Sequence, residues 1–252
     1  MNADLRHSLK LVLEFYREMG FDRVPIDLRG LLLLKSSEGK KESAYNVVES
    51  DKDIFSIDKV AALKTVRDEI GDCKRCRLSK ERTHIVFGEG NPDSRIMFIG
   101  EGPGREEDIQ GRPFVGDAGQ LLTRLIEKMG FKRSDVYIAN IVKCRPPMNR
   151  DPLEDEISTC LPFLKKQIAI VKPEVIISLG KVSTHTLLNI KEPMSKFSIM
   201  RIRGRFYDYT DGDIVIPIMP TFHPAYLMRN PNDKWLTWSD AQAVLKRLEA
   251  KR

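Results

Sequence analysis

The pattern of apolar and polar positions predicts that strands and helices alternate along most of this chain. Apolar runs bounded by turn residues predict strands at Arg95–Gly100, Val136–Val142, Glu174–Leu179 and Ile214–Met219. Helical spacing of apolar residues predicts helices at Gly119–Met129, Glu154–Val171, Lys181–Leu188 and Asp240–Ala250. Because strands separated by helices form a mainly parallel sheet covered on both faces, we expect an α/β fold, a three-layer α/β/α sandwich.

The first 55 residues have a different pattern. Apolar residues at helical spacing predict a helix over 4–20, a short apolar patch covers 28–34, and the polar stretch 35–53 is typical of a linker or mobile loop. We therefore expect a helical N-terminal extension at 1–55 and a main domain at 56–252, which opens with a helix from Ile57. Period-2 alternation over 198–209 predicts a hairpin.

Composition narrows the class of protein. The chain has 252 residues, of which 41% are hydrophobic, so it can bury a substantial core. No apolar run is long enough to span a membrane, and charges interrupt the apolar residues of the N-terminus, so we expect a cytoplasmic protein without a membrane partner. The net charge of +6 suits a polyanionic partner, although many basic proteins bind no nucleic acid.

Four cysteines form a tight pair, Cys73 and Cys76, and a wider pair, Cys144 and Cys160. A reducing compartment favours metal ligation over disulfides, but two disulfides remain open because intracellular proteins of hyperthermophiles break that rule. Zinc ribbons usually carry two tight pairs, whereas iron–sulfur clusters tolerate uneven spacing and take four thiolates. The cysteines therefore predict a metal centre that joins distant parts of the chain.

Polar motifs follow each of the predicted core strands. They are the glycine-rich turn 100–104 (GEGPG), Asn140, the segment 179–181 (LGK) and the segment 221–224 (TFHP). In a parallel sheet, ligands bind in the crevice beyond the carboxyl ends of the strands. We therefore expect these motifs to line one crevice.

Each of these residues has a functional and a structural interpretation. The turn can bring backbone N–H groups close to a ligand and aim Glu101 into the crevice, or it is an ordinary turn with a solvated glutamate. Phe114, on a glycine-flanked loop, can offer its face to a planar ring or simply plug the loop onto the core. The Asn140 amide can read the edge of a base or cap a loop. A lone histidine such as His223 is more often structural than catalytic.

The segment 223–229 (HPAYLMR) follows the last strand. We expect it to push Tyr226, Leu227 and Met228 outward, where apolar side chains on a basic loop can enter a nucleic-acid stack. The alternative is that the loop folds back onto the protein.

Together these motifs resemble the family 4 uracil-DNA glycosylases, the iron–sulfur branch found in bacteria and archaea. The resemblance runs from about Val66 to the C-terminus, and residues 1–55 lie outside it. It rests on CxxC at 73–76, GEGPGREEDIQGRPFVGDAGQLL at 100–122, YIANIVKCRPPMNRDP at 137–152, Cys160, LGK at 179–181 and HPAYLMR at 223–229. It implies a glycosylase domain at 56–252 that removes uracil from single- or double-stranded DNA, and a structural [4Fe–4S] cluster on Cys73, Cys76, Cys144 and Cys160.

The resemblance also implies roles for individual residues. Glu101 and His223 are the expected catalytic residues, and the expected uracil-binding residues are Gly102, Glu107, Phe114, Asn140 and His223. The expected DNA-binding residues are Lys143, Arg145, Arg150, Lys181, Leu227 and Arg229.

One departure from related enzymes affects specificity. Family 1 enzymes carry an Asp followed by a Tyr in the first motif, whereas this chain has Glu101 and a glycine-proline turn. Rejection of thymine must therefore differ, and Glu107 or Asp108 could wall the C5 side of the base. Family 5 relatives lack the carboxylate, so Glu101 favours family 4.

Two other classes of protein remain open on the sequence. One is a non-catalytic nucleic-acid-binding module whose metal holds a basic surface. The other is a small-molecule α/β enzyme that uses the glycine turn for phosphate, which leaves the segment 223–229 unexplained. We expect a monomer, and a sliding clamp is a candidate partner.

Overall fold

The computed structural model describes residues 58–250. The chain divides into two compact units, Met1–Lys64 and Thr65–Arg252, and all functional residues discussed below belong to the second. The expected helix over 4–20, the apolar patch 28–34 and the linker 35–53 lie outside the described residues. Among the residues that the structure describes, no helix is both long and apolar enough to cross a membrane.

Strands and helices alternate over the described part of the chain. The strands are β1 (Glu89–Gly90), β2 (Ile96–Gly100), β3 (Tyr137–Asn140), β4 (Val175–Leu179), β5 (Tyr207–Asp211) and β6 (Ile214–Thr221). The α-helices are α1 (Lys59–Ile70), α2 (Arg105–Gln110), α3 (Asp117–Lys128), α4 (Glu154–Val171), α5 (Lys181–Leu187), α6 (Pro224–Arg229) and α7 (Lys234–Glu249). Short 3-10 turns cover Arg77–Lys80, Arg133–Asp135, Pro147–Asn149, Ile199–Arg201 and Pro231–Asp233.

The six strands form one sheet in the order β1-β3-β2-β4-β6-β5. The four inner strands run parallel, and β1 and β5 pair antiparallel at the two edges. Every residue of β2, β3 and β4 is buried, which explains why these sequences are mainly apolar. The predicted mainly parallel sheet is therefore confirmed.

Helices cover the sheet on both faces. On one face α3 and α7 pack their apolar side chains, including Leu122, Ile126 and Val244, into a core that also contains Phe98 and Ile177 of the strands. On the other face α4 contacts β3 and α5 contacts β4. These three layers match the expected α/β/α sandwich.

The order of the strands places a crevice in the middle of the sheet. The chain passes from β2 to β3 on one side and then returns to β4 on the other side of β2. Ligands of open parallel sheets bind where the strand order reverses in this way, beyond the carboxyl ends of the strands. Gly100, Asn140, Gly180 and His223 follow or end the four parallel strands at this edge.

The structure corrects the predicted hairpin at 198–209. That segment contains a 3-10 turn, and Arg203 points inward to pair with Asp240. The hairpin lies at β5–β6, where Asp211 pairs with Ile214 around Gly212 at φ +54°. Gly212 supplies the positive φ that this tight turn needs. Gly204 also has a positive φ, +76°, but the residues before it form the 3-10 turn Ile199–Arg201 and not a strand, so no hairpin forms there.

Two short helices were not predicted, and one helix starts earlier than expected. Helix α2 follows the glycine-rich turn, and α6 forms from the segment 223–229, with Pro224 in its first turn. The closing helix α7 begins at Lys234 and not at Asp240. The other predicted helices and strands agree with the structure within two residues at each end.

Candidate active site

Gly100 is the last residue of β2, and its backbone lies against the side chains of Phe114 and Asn140, two of the predicted site residues. A Cβ atom on Gly100 would lie 2.5 Å from Asn140 Oδ1 and 2.5 Å from Phe114 Cζ. Any larger residue would displace both side chains. A glycine at this position therefore lets the Phe114 ring and the Asn140 amide meet at the end of the sheet.

Asn140 is the last residue of β3, and its side chain is almost fully enclosed. The residue is 1% exposed, and its Oδ1 has no hydrogen-bond partner among the described residues. A buried acceptor without a donor carries a free-energy penalty, so such groups in native proteins call for an explanation. A bound donor that reaches Oδ1 removes this penalty.

Phe114 is held on its loop in an unusual backbone conformation, with φ +51°. The Glu107 carboxylate accepts the N–H groups of Val115 and Gly116, at 2.8 and 2.9 Å, and so fixes the residues that follow. Gly119 packs under the loop, since a Cβ there would lie 1.9 Å from the carbonyl carbon of Phe114. The residue is 6% exposed and its ring packs in the core, so Phe114 does fasten its loop to the core. The edge of the same ring also lies beside Gly100, at the end of the sheet.

His223 follows β6, and its ring lies 5.7 Å from the Phe114 ring between centroids. Its Nδ1 accepts the N–H of Ala225 at 3.2 Å, so in the neutral ring the proton is on Nε2. Burial, with a smaller contribution from the charge of Arg229, lowers the pKa of His223 to about 4. The imidazole is therefore neutral at pH 7 and carries one N–H donor.

Glu101 lies at the head of the crevice, one residue beyond β2. Burial, together with the negative charge of Asp151, raises the pKa of Glu101 to about 7, and the charge of Lys181 opposes this rise. Lys181 begins α5 directly after Gly180. The carboxyl group thus has neighbours of both signs.

The two acids that were expected to wall the C5 side of a base have structural partners. Glu107 also accepts the N–H of Gly104 at 3.1 Å, besides those of the Phe114 loop. Asp108 is buried and accepts the N–H groups of Thr83 and His84. Both acids therefore shape the loops on either side of Glu101, and the contact of Glu107 or Asp108 with the C5 side of a base stays a prediction.

Three of the predicted DNA-binding residues have different surroundings from those expected. Leu227 is 4% exposed because α6 turns it toward the core, whereas its neighbour Met228 is 47% exposed. Lys143 is 1% exposed and hydrogen-bonds within the protein, so it does not reach a phosphate. Arg150 forms a bidentate pair with the buried Glu156.

The other predicted cations lie at the surface or at its edge. Arg229 is exposed at the end of α6, and Lys181 is partly exposed next to Glu101. Arg145 donates to Asn149 Oδ1 at 2.7 Å, which closes the loop between them. This loop packs toward the crevice, since Pro146 lies beside Gly102.

The four cysteines line one hollow, which lies beside the end of β3. They are free thiols, so the two-disulfide alternative is not realised. The hollow measures about 340 Å³ including its open mouth, and Ile70, Ile85 and Phe163 form apolar walls. It joins the turn after α1, the end of the β3 segment and the first half of α4.

Donors surround the cysteine sulfurs. Arg75 Nη1 lies 3.3 Å from Cys73 Sγ, and the Lys143 N–H lies 3.3 Å from Cys160 Sγ. Arg82 Nη1 lies 3.6 Å from Cys144 Sγ. Hydrogen bonds to sulfur and nearby positive charge stabilise ligating thiolates, so this donor set fits a thiolate-bound metal centre.

The thiols are not drawn together around a single point. Within residues 58–250 no group of three or more His, Cys, Asp or Glu side chains has the geometry that would hold one metal ion. The four cysteines nevertheless line one hollow, which supplies the number of thiolates that one metal centre takes.

Two residues that shape the site, Gly119 and Asp151, were not predicted to do so from the sequence, and Gly180 was predicted to line the crevice only as part of the segment 179–181. Gly119 supports Phe114, and Gly180, at φ +91°, faces His223, where a Cβ would lie 2.8 Å from the histidine Cβ. Asp151 acts on Glu101 through its charge. The density of glycines near the strand ends was the available signal, because glycine permits both close contact and positive φ.

The site has the features of an enzyme that encloses a nucleobase, and comparison with known proteins agrees. A profile of the Uracil DNA glycosylase superfamily matches residues 87–246. The type-4 uracil-DNA glycosylase of Saccharolobus solfataricus is 48% identical over 190 residues, which are 75% of this chain and 88% of that protein. That of Sulfurisphaera tokodaii is 46% identical over 184 residues, 73% of this chain and 83% of that protein.

A third relative, the type-4 uracil-DNA glycosylase of Thermotoga maritima, is 48% identical over 172 residues, which are 68% of this chain and 86% of that protein. The chain therefore belongs to the uracil-DNA glycosylase superfamily and, within it, to the type-4 enzymes. The predicted family is confirmed.

Proposed function

We propose that this protein hydrolyses the N-glycosidic bond of deoxyuridine in DNA, releases free uracil and leaves an abasic site, as a step of DNA base excision repair. The observation that supports this most directly is the buried Asn140 amide, whose Oδ1 lacks a partner beside Gly100 and Phe114. The domain responsible is 56–252, with 1–55 as an extension.

The target base must leave the duplex before it can reach Asn140. Extrusion costs a few kcal/mol and less at a mispaired U·G. Met228, exposed on α6 beside Arg229, takes the role first expected of Leu227 and fills the vacated place in the stack. Lys181, Arg145, Arg150 and Arg229 bind phosphates around the crevice.

Asn140 selects uracil in this proposal. Its Oδ1 accepts the N3–H of the base, and its Nδ2 donates to O4, while the Phe114 ring packs against the base. Cytosine presents an acceptor at N3 and a donor at the 4-position, so both partners would be mismatched. Sites built to hydrogen-bond one substrate can reject such analogues by about 10⁴–10⁵.

His223 and the glycine-rich turn stabilise the uracil anion as the bond breaks. The neutral imidazole donates its Nε2–H toward O2 without needing a positive charge. Pro103 has no N–H and the N–H of Gly104 already binds Glu107, so Gly102 is the backbone donor of the turn that we assign to the base.

Glu101 acts at the sugar. As a carboxylate it orients water toward C1′ and offsets the positive charge that develops on the deoxyribose. Its pKa of about 7 means that the free enzyme holds a mixture of carboxyl and carboxylate forms at neutral pH. The proposed reaction needs the carboxylate.

A [4Fe–4S] cluster bound by Cys73, Cys76, Cys144 and Cys160 completes the proposal. The support is the donor set, four free thiols around one hollow with Arg75, Arg82 and a backbone N–H directed at sulfur. The cluster supplies a structural link among these segments. It would hold the loop with Arg145 and Arg150 near the DNA.

The test is a glycosylase assay on U·G, U·A and single-stranded uracil substrates, with T·G as the control for base identity. Free uracil and abasic sites should appear only with the uracil substrates. Asn140→Asp should lose at least 100-fold in single-turnover uracil excision or gain cytosine excision, while Asn232→Asp, at an exposed position, should match the parent. Unchanged uracil excision by Asn140→Asp would remove Asn140 from the mechanism.

A further inference from the structure

Lys143 connects the base-reading strand end to the helix that carries Cys160. The residue is 1% exposed, and its Nζ donates to the Asn140 carbonyl at 2.9 Å and to Gln167 Oε1 at 2.5 Å. Burial lowers the pKa of Lys143 to about 8. A buried ammonium group is costly to desolvate, so its two hydrogen bonds define where the side chain lies.

The backbone of the same residue contacts the cysteine hollow. The Lys143 N–H lies 3.3 Å from Cys160 Sγ, and the next residue is Cys144. Lys143 also lines the hollow. One residue therefore touches the carbonyl of Asn140 at one end and a cysteine sulfur at the other.

Gln167 of α4 holds the ammonium group of Lys143 in one place, because its own side-chain amide is held in one orientation. Its Nε2 donates to the Phe87 carbonyl at 3.0 Å and to the Tyr137 hydroxyl at 3.1 Å. With both donor contacts made, Oε1 is the atom left to face Lys143. A flipped amide would lose its bonds to the Phe87 carbonyl and to Lys143, because a carbonyl cannot donate and an ammonium group cannot accept. The lysine is thus anchored to α4, the helix on which Cys160 lies.

We propose that Lys143 is a positioning residue. It fixes the strand end that carries the Asn140 amide relative to Cys144 and Cys160, and so determines the affinity of the site for uracil. This inference rests on the proposed function. Asn140 ends its strand, and hydrogen-bonded recognition tolerates displacements of only about 0.5 Å. Holding the Asn140 carbonyl on α4 limits the movement of the amide.

Lys143→Met removes the ammonium group and keeps the length of the side chain. Binding is measured on a duplex with an uncleavable 2′-fluoro-deoxyuridine and on one with a tetrahydrofuran abasic site. We expect affinity for the uracil duplex to fall at least tenfold and affinity for the abasic duplex to change less than twofold, with absorption near 400 nm per protein retained. Lys165→Met, which breaks a surface ion pair on α4, is the matched control and should change neither.

A double variant separates positioning from general damage. In an Asn140→Ala background, Lys143→Met should cause no further loss of uracil affinity, because the amide that it positions is absent. Equal losses on both duplexes, or a full additional loss in the Asn140→Ala background, would refute the positioning role. If Lys143→Met does not fold, Lys143→Arg keeps the charge with altered geometry and should lose at least threefold on the uracil duplex alone; an unchanged ratio between the duplexes refutes the proposal.

Failure of the proposed function gives a different result. In that case the parent protein would bind the uracil duplex no better than a matched thymine duplex, whatever the effect of Lys143→Met. The parent comparison therefore tests the function, and the ratio of the variant's two affinities tests the positioning role.

Discussion

Glu101 and Lys181 follow the carboxyl ends of the adjacent parallel strands β2 and β4, so that the ammonium charge of the lysine acts on the carboxyl group across the crevice. The lysine does not overcome the effects of burial and of Asp151, and the pKa of Glu101 stays at about 7. A general base or electrostatic group with a pKa near the working pH can change its charge during turnover.

The first prediction concerns the pH dependence of catalysis. The single-turnover rate on single-stranded uracil DNA should rise about tenfold per pH unit below pH 7 and level off above it, because the carboxylate form of Glu101 is the active one. His223, with a pKa of about 4, stays neutral between pH 5 and 7, so its titration should not change the rate in this range. Glu101→Gln should be slower by at least 100-fold and flat over the same range. A parent profile that is flat from pH 5.5 to 8 would reassign the carboxyl group.

The second prediction concerns stability. The pKa of Glu101 in the folded state, about 7, lies above its ordinary value of 4.5, so between these pH values the unfolded chain releases this proton while the folded one retains it. The parent therefore loses stability from this group as pH rises from 4.5 to 7, and the loss is constant above 7. Glu101→Gln avoids this loss and should be more stable than the parent by on the order of 3–4 kcal/mol at pH 8, because a pKa raised from 4.5 to about 7 costs about 1.4 kcal/mol per pKa unit.

Urea unfolding of both proteins at pH 4.5 and pH 8 measures this difference. His223 titrates in the opposite sense but is present in both proteins, so its contribution cancels. A difference in unfolding free energy that is the same at both pH values would contradict the perturbed pKa.

The third prediction concerns Met228. Met228→Ala should slow excision from a U·A duplex about tenfold or more and leave single-stranded DNA within twofold, because the wedge is needed only where a base must leave a stack. Met200→Ala is a suitable control, since Met200 is also exposed and lies in the 3-10 turn Ile199–Arg201. Equal effects on duplex and single strand would place Met228 outside the flipping step.

The fourth prediction concerns the cysteines. The purified protein should be brown, with broad absorption near 400 nm, and should contain about four irons per chain, whereas a zinc protein would be colourless. Cys160→Ser should lose this absorption and lower the melting temperature, because three separate segments would no longer be joined. Stoichiometric zinc and no iron in the parent would overturn the assignment.

The sequence was sufficient to predict those helices and strands whose own pattern of apolar and polar residues determines their structure. Strands β2 and β4 are mainly apolar runs that end at a glycine or just before one, and α4 was predicted with its observed ends. The chemistry of the site was also accessible, because Glu101, Asn140 and His223 each stand next to a strand end. Helix α6 was missed because six residues form a helix only when Pro224 and the cap of His223 are supported by the rest of the fold.

Burial, in contrast, depends on partners that are remote in sequence. Lys143 looked like a surface cation beside a basic loop, but the Asn140 carbonyl and Gln167 of α4 enclose it. Leu227 and Met228 are adjacent in sequence, and only the packing of α6 decides that the first is buried and the second exposed. The same holds for the pKa of Glu101, which is set by burial and by the charges of Asp151, in the loop before α4, and Lys181, at the start of α5.

The amino-acid sequence by itself determined the alternation of strands and helices, the family and the set of chemical groups, because periodicity and motif residues are local properties. The tertiary structure decided which of these groups face the crevice, because β2, β3, β4 and β6 come together only in the folded sheet. It also decided which charges are enclosed, since desolvation depends on every atom that surrounds a group and not on its neighbours in the chain.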